Sequence, residues 1–417
     1  MNFVAYCGFL LLFPVFVLYH YAVATGWVPA FLGGMFGISA VLVSLFGLLY
    51  MATSMTVAHG TPPLLERAFL FFVVYLALWT VAASLLAASR AYTGPAVAEA
   101  LATLLIWMAA FFIGARLPLR ALRSWPSLLL LVALIGLCFG HAVYSHGSFV
   151  GPFLVFQGEA EAQDVHSTYQ GVGRAILVIA VVISSLPHRI WAQLCVLGLA
   201  AVALLALGSR EHLFAILLLI LLQVLLFGFR RRNIWTGVVA VVILSGAVYA
   251  ASDLFLNTRA AEIFSLGQST SWQARIAANE EAIQVIEEDP FFGAFGYHWA
   301  DQSAGYAHNL LSAWAGFGGV AFAIYLGMML YALAVSAGRV VSLRNCPAIW
   351  KVALQFNVVA LLLGLAAEPI YASVFPALGW GFAVSALRSE SGRRRLGATA
   401  ARAYAAAAMT WSHGRIR

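Results

Sequence analysis

Arg210, Arg275 and His308 stand out because their types and placement suit chemistry in a chain that otherwise holds few polar groups. Arginine keeps its charge at any physiological pH and offers a planar fork that fits phosphate oxygens. Histidine is neutral near pH 7 and can take a proton from an attacking hydroxyl. Two guanidiniums and an imidazole brought together would hold a phosphate leaving group and activate an incoming alcohol. Arg210 lies in Gly208-Ser209-Arg210-Glu211, a short link between strongly apolar stretches. A charge there is costly and commonly kept for function. Arg174, in Gly171-Val172-Gly173-Arg174, is a fourth candidate for binding the donor. Each has a plainer alternative. Arg210 could pair with adjacent Glu211, Arg275 could be a solvated helix charge, Arg174 could make a local ion pair, and His308 could hydrogen-bond a neighbour.

The elements that must position these groups are membrane spans. Of 417 residues, 63% are hydrophobic and 9% charged, against about 25% charged in soluble domains. The chain therefore reads as an all-α integral membrane protein. Spans of about 20 apolar residues are expected over 3–24, 28–52, 68–89, 96–115, 127–145, 168–186, 190–208, 212–229, 234–254, 309–335, 350–367 and 369–388, about twelve transmembrane helices. Alternating strand patterns of the barrel type are absent. The first span lacks a basic start and a cleavage site, and reads as a retained helix.

Basic residues orient the spans. Arg116, Arg120 and Arg123 share one loop, Arg230, Arg231 and Arg232 another, and Arg339, Arg344 and Lys351 a third. With Arg67, Arg189 and the tail arginines these fall on one side, expected to be cytoplasmic along with both termini. Of the 23 basic residues only Arg90, Arg174, Arg210, Arg259 and Arg275 lie outside. Residues 1-390 read as one transmembrane domain with an outer, periplasmic loop at 255-307, and 391-417 as a basic cytoplasmic tail. In that loop Ser269, Thr270 and Ser271 start an amphipathic helix that ends before Pro290. Trp272, Ile276, Ile283 and Ile286 form its expected apolar face, lying along the outer membrane surface. With Arg210, Arg275 and His308 all on the outer side, the phosphate they would grip belongs to a lipid-linked diphosphate.

At these residues the chain resembles the O-antigen ligase/polymerase family of bacterial inner-membrane glycan transferases. The resemblance rests on Gly208-Ser209-Arg210, Trp272-Gln273-Ala274-Arg275, Asp289-Pro290-Phe291-Phe292-Gly293-Ala294-Phe295-Gly296 and Ala307-His308-Asn309, with Gly319 eleven residues after the histidine. It covers about residues 200 to 325. Phe322 stands where family members commonly have glycine, and Glu368 loosely matches a family acid. The resemblance implies a type C glycosyltransferase-like fold and an undecaprenyl-diphosphate-linked glycan donor. It also implies metal-independent transfer with inversion, and no cofactor. Arg210 and Arg275 would bind the diphosphate and His308 would activate or position the acceptor hydroxyl.

The first reading is a ligase that moves O-antigen-type polysaccharide to lipid A–core at the periplasmic face of the bacterial inner membrane. A polymerase of the same family uses the same attack with another acceptor, and a protein O-oligosaccharyltransferase is a third variant. A twelve-span transporter or flippase predicts repeat symmetry and charges near the bilayer midplane; nearly all charges here cluster at span ends, with Glu99 the main exception. An acyltransferase lacks a supporting acid–histidine motif. No metal site is expected: Glu159, Glu161 and Asp164 are too loosely spaced, and Cys7, Cys138, Cys195 and Cys346 form no ligand cluster. The net charge of +7 points to anionic membrane lipids and no nucleic acid.

Overall fold

The protein is described from a computed structural model that covers residues 1–24, 27–28, 35–57, 62–86, 93–123, 129, 131–132, 136, 143–145, 148–150, 168–186, 189–230, 270–300, 305–343, 346–371 and 373–391. Helices α1 (Asn2–Leu10) and α2 (Phe16–Ala24) are joined by a π-helical turn, Leu11–Val15. Pro14 lies inside that turn. Its missing N–H removes one regular helical bond, which accounts for the local widening. There follow α3 (Met35–Val57), α4 (Leu64–Leu86), α5 (Thr93–Arg116), α6 (Thr168–Ser185), α7 (Ile190–Leu207), α8 (Arg210–Arg230), α9 (Thr270–Glu288), α10 (Leu311–Ser342) and α11 (Ala348–Ala366). A last helix, α12, spans 375–391.

This is an all-α, multi-pass membrane protein. Six of the described helices are long and apolar enough to cross a bilayer. Ten of the expected spans correspond to described helices. The span expected at 234–254 lies outside the described residues, as do the loop acids Glu159, Glu161 and Asp164. Of 127–145 only isolated residues and one strand are described. That strand, Val143–Ser145, pairs antiparallel with Ser148–Val150, with Val143 opposite Val150 and Tyr144 opposite Phe149. Aromatic and β-branched side chains favour such a ribbon, so the chain there is extended where the hydropathy pattern alone suggested helix. Arg393 and the rest of the tail beyond 391 fall outside the described residues.

The core packs around Trp107, Tyr325 and Trp380, all fully buried. The Trp107 and Tyr325 rings stack at 5.5 Å, and Phe69 stacks on Phe111 at 4.0 Å. On the outer faces Leu42, Leu45 and Leu49 of α3 are exposed, as are Phe71, Val74, Leu78, Val81 and Leu85 of α4. Their spacing of three and four residues marks helical stripes that suit lipid contact.

The two ends of the bundle differ in charge. At one end Arg388 contacts buried Glu66 at 2.7 Å, Arg339 contacts Glu390 at 3.1 Å, and Arg116 lies over the Tyr50 ring. These are the arginine-rich ends expected to be cytoplasmic. The other end gathers the starts of α5, α6, α8, α10 and α12 and the finishes of α7 and α11.

Candidate functional site

A two-residue reversal sets the first arginine. Gly208 ends α7 in a left-handed conformation, and its N–H and that of Ser209 bond back to Leu205 and Leu204. This C-cap closes one helix as the next begins, placing Arg210 at the first position of α8, half-buried. Ser209 Oγ lies 2.7 Å from His212 Nδ1. Gly173 in α6 packs against this turn: a Cβ there would lie 2.7 Å from Ser209 Oγ and 3.1 Å from His212 Nδ1. The close approach brings Arg174, one residue on, to the same end of the bundle.

Helix α9 carries Arg275, and the side it turns to the protein is lined largely by small residues. Ala278 and Ala282 are buried, with Val285 and Ile286 packed against Tyr297, Ala307 and Ala315. Ile276 and Ile283, expected on the apolar face, are exposed. Small side chains win the buried positions because they let α9 lie close on the start of α10. The isoleucines face outward instead, where an interfacial helix would meet lipid.

The following turn locks α9 onto α10. Gly293 (φ +65°) and Gly318 (φ +81°) adopt left-handed backbone, and a Cβ on either would collide with a carbonyl, Ala315 O or Phe291 O. Only glycine allows both the conformation and the approach. Ala294 N–H donates to Ala315 O at 2.8 Å, Gly319 N–H to Pro290 O at 3.0 Å, and Trp314 Nε1–H to Pro290 O at 2.8 Å. Phe322, the departure from the family pattern, stacks on Trp314 at 4.9 Å.

Asn309 then fixes its neighbour His308. Its Nδ2 donates to Asn279 Oδ1 at 3.1 Å, and its Oδ1 accepts from Leu311 N–H at 2.9 Å. Asn279 is one turn beyond Arg275 on α9, so the bond holds the histidine segment to the arginine's helix. Ser312 Oγ donates to Asn309 O and accepts from Ile370 N–H, tying in the loop that carries Glu368.

The charged groups pair across elements. Arg275 Nη2 lies 3.3 Å from Glu211 Oε2, and Arg174 Nε lies 3.0 Å from Glu368 Oε1. Glu211 also feels the charges of Arg174 and Arg210. Burial raises the Glu368 carboxyl above its ordinary range, with Arg174 opposing. Burial, then the nearby Arg275 charge, lowers His308 from 6.5 to about 4, with the Tyr306 backbone acting the other way. His308 is therefore neutral at pH 7, and among the described residues its buried Nδ1 has no hydrogen-bond partner. Tyr306 sits amid Glu99, Arg174, Glu211 and Arg275, and burial raises its hydroxyl pKa.

Arg275 and His308 are thus electrostatically coupled, Arg210 reaches them through Glu211, and Arg174 joins through Glu368 and Glu211. Sequence reasoning placed Glu211 only beside Arg210; its carboxylate turns to Arg275, 64 residues away. It passed over His298, whose Nε2 lies 2.6 Å from Glu99 Oε2. The one hint was Glu99 itself, an acid inside a span.

Among known proteins, the family model of the O-antigen ligases matches residues 195–326, about a third of the chain. The matched stretch holds Arg210, Glu211, Arg275 and His308. No curated protein matches the chain.

Proposed function

We propose that the protein transfers a glycan from an undecaprenyl-diphosphate-linked donor to an acceptor hydroxyl, acting as a ligase toward lipid A–core at the periplasmic face of the inner membrane. The observation that carries this reading is the gathering of Arg275, Glu211 and the neutral His308 at one bundle end, inside the segment similar to O-antigen ligases. Arg275 and Arg210 would take the donor diphosphate, with Glu211 giving up its contact to Arg275. Charge-assisted bonds from guanidinium to phosphate are strong and directional, and they stabilise negative charge as it develops on the leaving group.

The acceptor oxygen attacks the anomeric carbon from the side opposite the diphosphate. The new glycosidic C–O bond forms as the old one breaks. The hydroxyl proton passes to His308, and undecaprenyl diphosphate departs with its electron pair, giving inversion. A bound diphosphate would also offset the Arg275 charge that holds His308 low, making the imidazole a better base when the donor is present. No step in this scheme requires a metal.

Purified protein given a lipid-linked glycan with lipid A–core, or with donor alone, tests the reading. Glycan on lipid A–core supports the ligase. Lengthened donor in the second arm would identify a polymerase, and no product in either arm would return the protein to transport.

A further inference from the structure

We propose that Glu99, His298 and Trp299 form a saccharide subsite that holds the acceptor sugar beside His308. Trp299 is 46% exposed, while its indole N–H is already satisfied by Glu99 Oε2 at 3.0 Å. An aromatic face open to its surroundings, with its polar edge occupied, is a platform for the C–H face of a sugar ring.

The polar groups beside it are both acceptors in want of donors. His298 Nε2 donates to the same Glu99 Oε2 at 2.6 Å, which fixes the tautomer and leaves a lone pair on Nδ1. That Nδ1 is buried and has no hydrogen-bond partner among the described residues, in a side chain only 4% exposed. Buried polar atoms rarely stay unpaired. Among the described residues Glu99 Oε1 likewise accepts no hydrogen bond, and the Glu99 side chain is 22% exposed. Two acceptors beside an aromatic platform match the hydroxyl donors and apolar face of a saccharide.

Its position favours acceptor over donor. The Tyr306 ring contacts His298 at 5.6 Å on one side and His308 at 5.0 Å on another. The subsite is therefore one aromatic ring from the imidazole, and its Glu99 carboxylate suits a neutral sugar and repels an anionic diphosphate. This assignment to the acceptor rests on the glycan-transfer reading; the affinity for saccharide does not.

Two measurements separate the possibilities. Binding of the soluble oligosaccharide released from lipid A–core, followed by saturation-transfer NMR on the full-length protein in nanodiscs, needs no turnover. Wild type should bind saturably, Trp299→Ala should weaken binding about tenfold or more, and Trp299→Phe should stay within about threefold. Trp299 is exposed, so its replacement leaves the core intact, and Glu99→Gln provides a second variant that keeps the indole acceptor. In the transfer assay Trp299→Ala should raise KM for the acceptor about tenfold with KM for the donor unchanged. Absence of saturable wild-type binding, or equal binding by wild type, Trp299→Ala and Glu99→Gln, overturns the subsite. An unchanged acceptor KM in Trp299→Ala overturns it as well. Saccharide binding lost in the variants but with no wild-type transfer product upholds the subsite and sinks only the transfer reading.

Discussion

Replacing Arg275 with glutamine should raise the pKa of His308, because the substitution removes a positive charge that disfavours the imidazolium. The magnitude follows from the site. His308 is lowered from 6.5 to about 4, with burial the larger cause and Arg275 the second. Arg275 therefore accounts for the smaller part, and its removal should raise the value by on the order of one unit, about 1.4 kcal/mol of differential stabilisation. Freed of its partner, the Glu211 carboxylate would push in the same direction. Titration of 13C-labelled histidine ring signals in nanodiscs, with His308→Asn identifying the resonance, measures this directly. Undecaprenyl diphosphate added to the wild type should shift the same signal upward. A wild-type His308 titrating near 6.5, or one indifferent to Arg275→Gln, would refute the claim that the two groups share a site.

Arg275→Lys keeps the charge but loses the planar fork, and transfer should fall roughly a hundredfold, read as kcat in the reconstituted assay; Arg210→Ala, Arg275→Ala and His308→Ala should each abolish or severely reduce it with membrane insertion intact. Gly318→Ala forces a side chain into left-handed backbone against the Phe291 carbonyl and should cost roughly 1–3 kcal/mol or more, seen as a lower unfolding temperature in detergent and a loss of transfer. Arg388→Ala removes the cationic partner of the buried Glu66 carboxylate at the opposite bundle end and should lower stability by roughly 1–3 kcal/mol, discounted because Arg388 is partly exposed; the specific activity of the folded fraction should be unchanged. Transfer should persist in EDTA, and loss of activity that divalent metal restores would contradict the proposed mechanism.

Hydropathy made the spans legible because lipid-facing and packed positions on α4 or α10 are apolar alike. The same property hid which face is which. On α9 Ile276 and Ile283 read as an apolar face for the membrane surface and are exposed, but hydropathy did not mark Ala278 and Ala282 as the side that packs on α10, since close backbone approach rewards small residues and a transfer scale does not register this. Arg210 and His308 were visible as charge or imidazole at span ends and Arg275 as a charge on the outer-loop helix, and the glycines around Pro290 and Gly319 hinted at a tight junction. Their partners were not visible. Glu211 meets Arg275 and Arg174 meets Glu368 only through the tertiary fold, and Glu99 reaches His298 across 199 residues. Long-range pairing leaves no local period in a single sequence, so the partners of these acids surfaced only with coordinates.

An experimental structure with undecaprenyl diphosphate bound tests the central claim most directly. The account predicts phosphate oxygens within hydrogen-bond distance of the Arg275 and Arg210 guanidiniums, Glu211 turned away from Arg275, and His308 on the acceptor side of the pocket, across from the leaving group. A diphosphate seated at the Arg388–Glu66 end, or at the His308 end without touching either arginine, would contradict it.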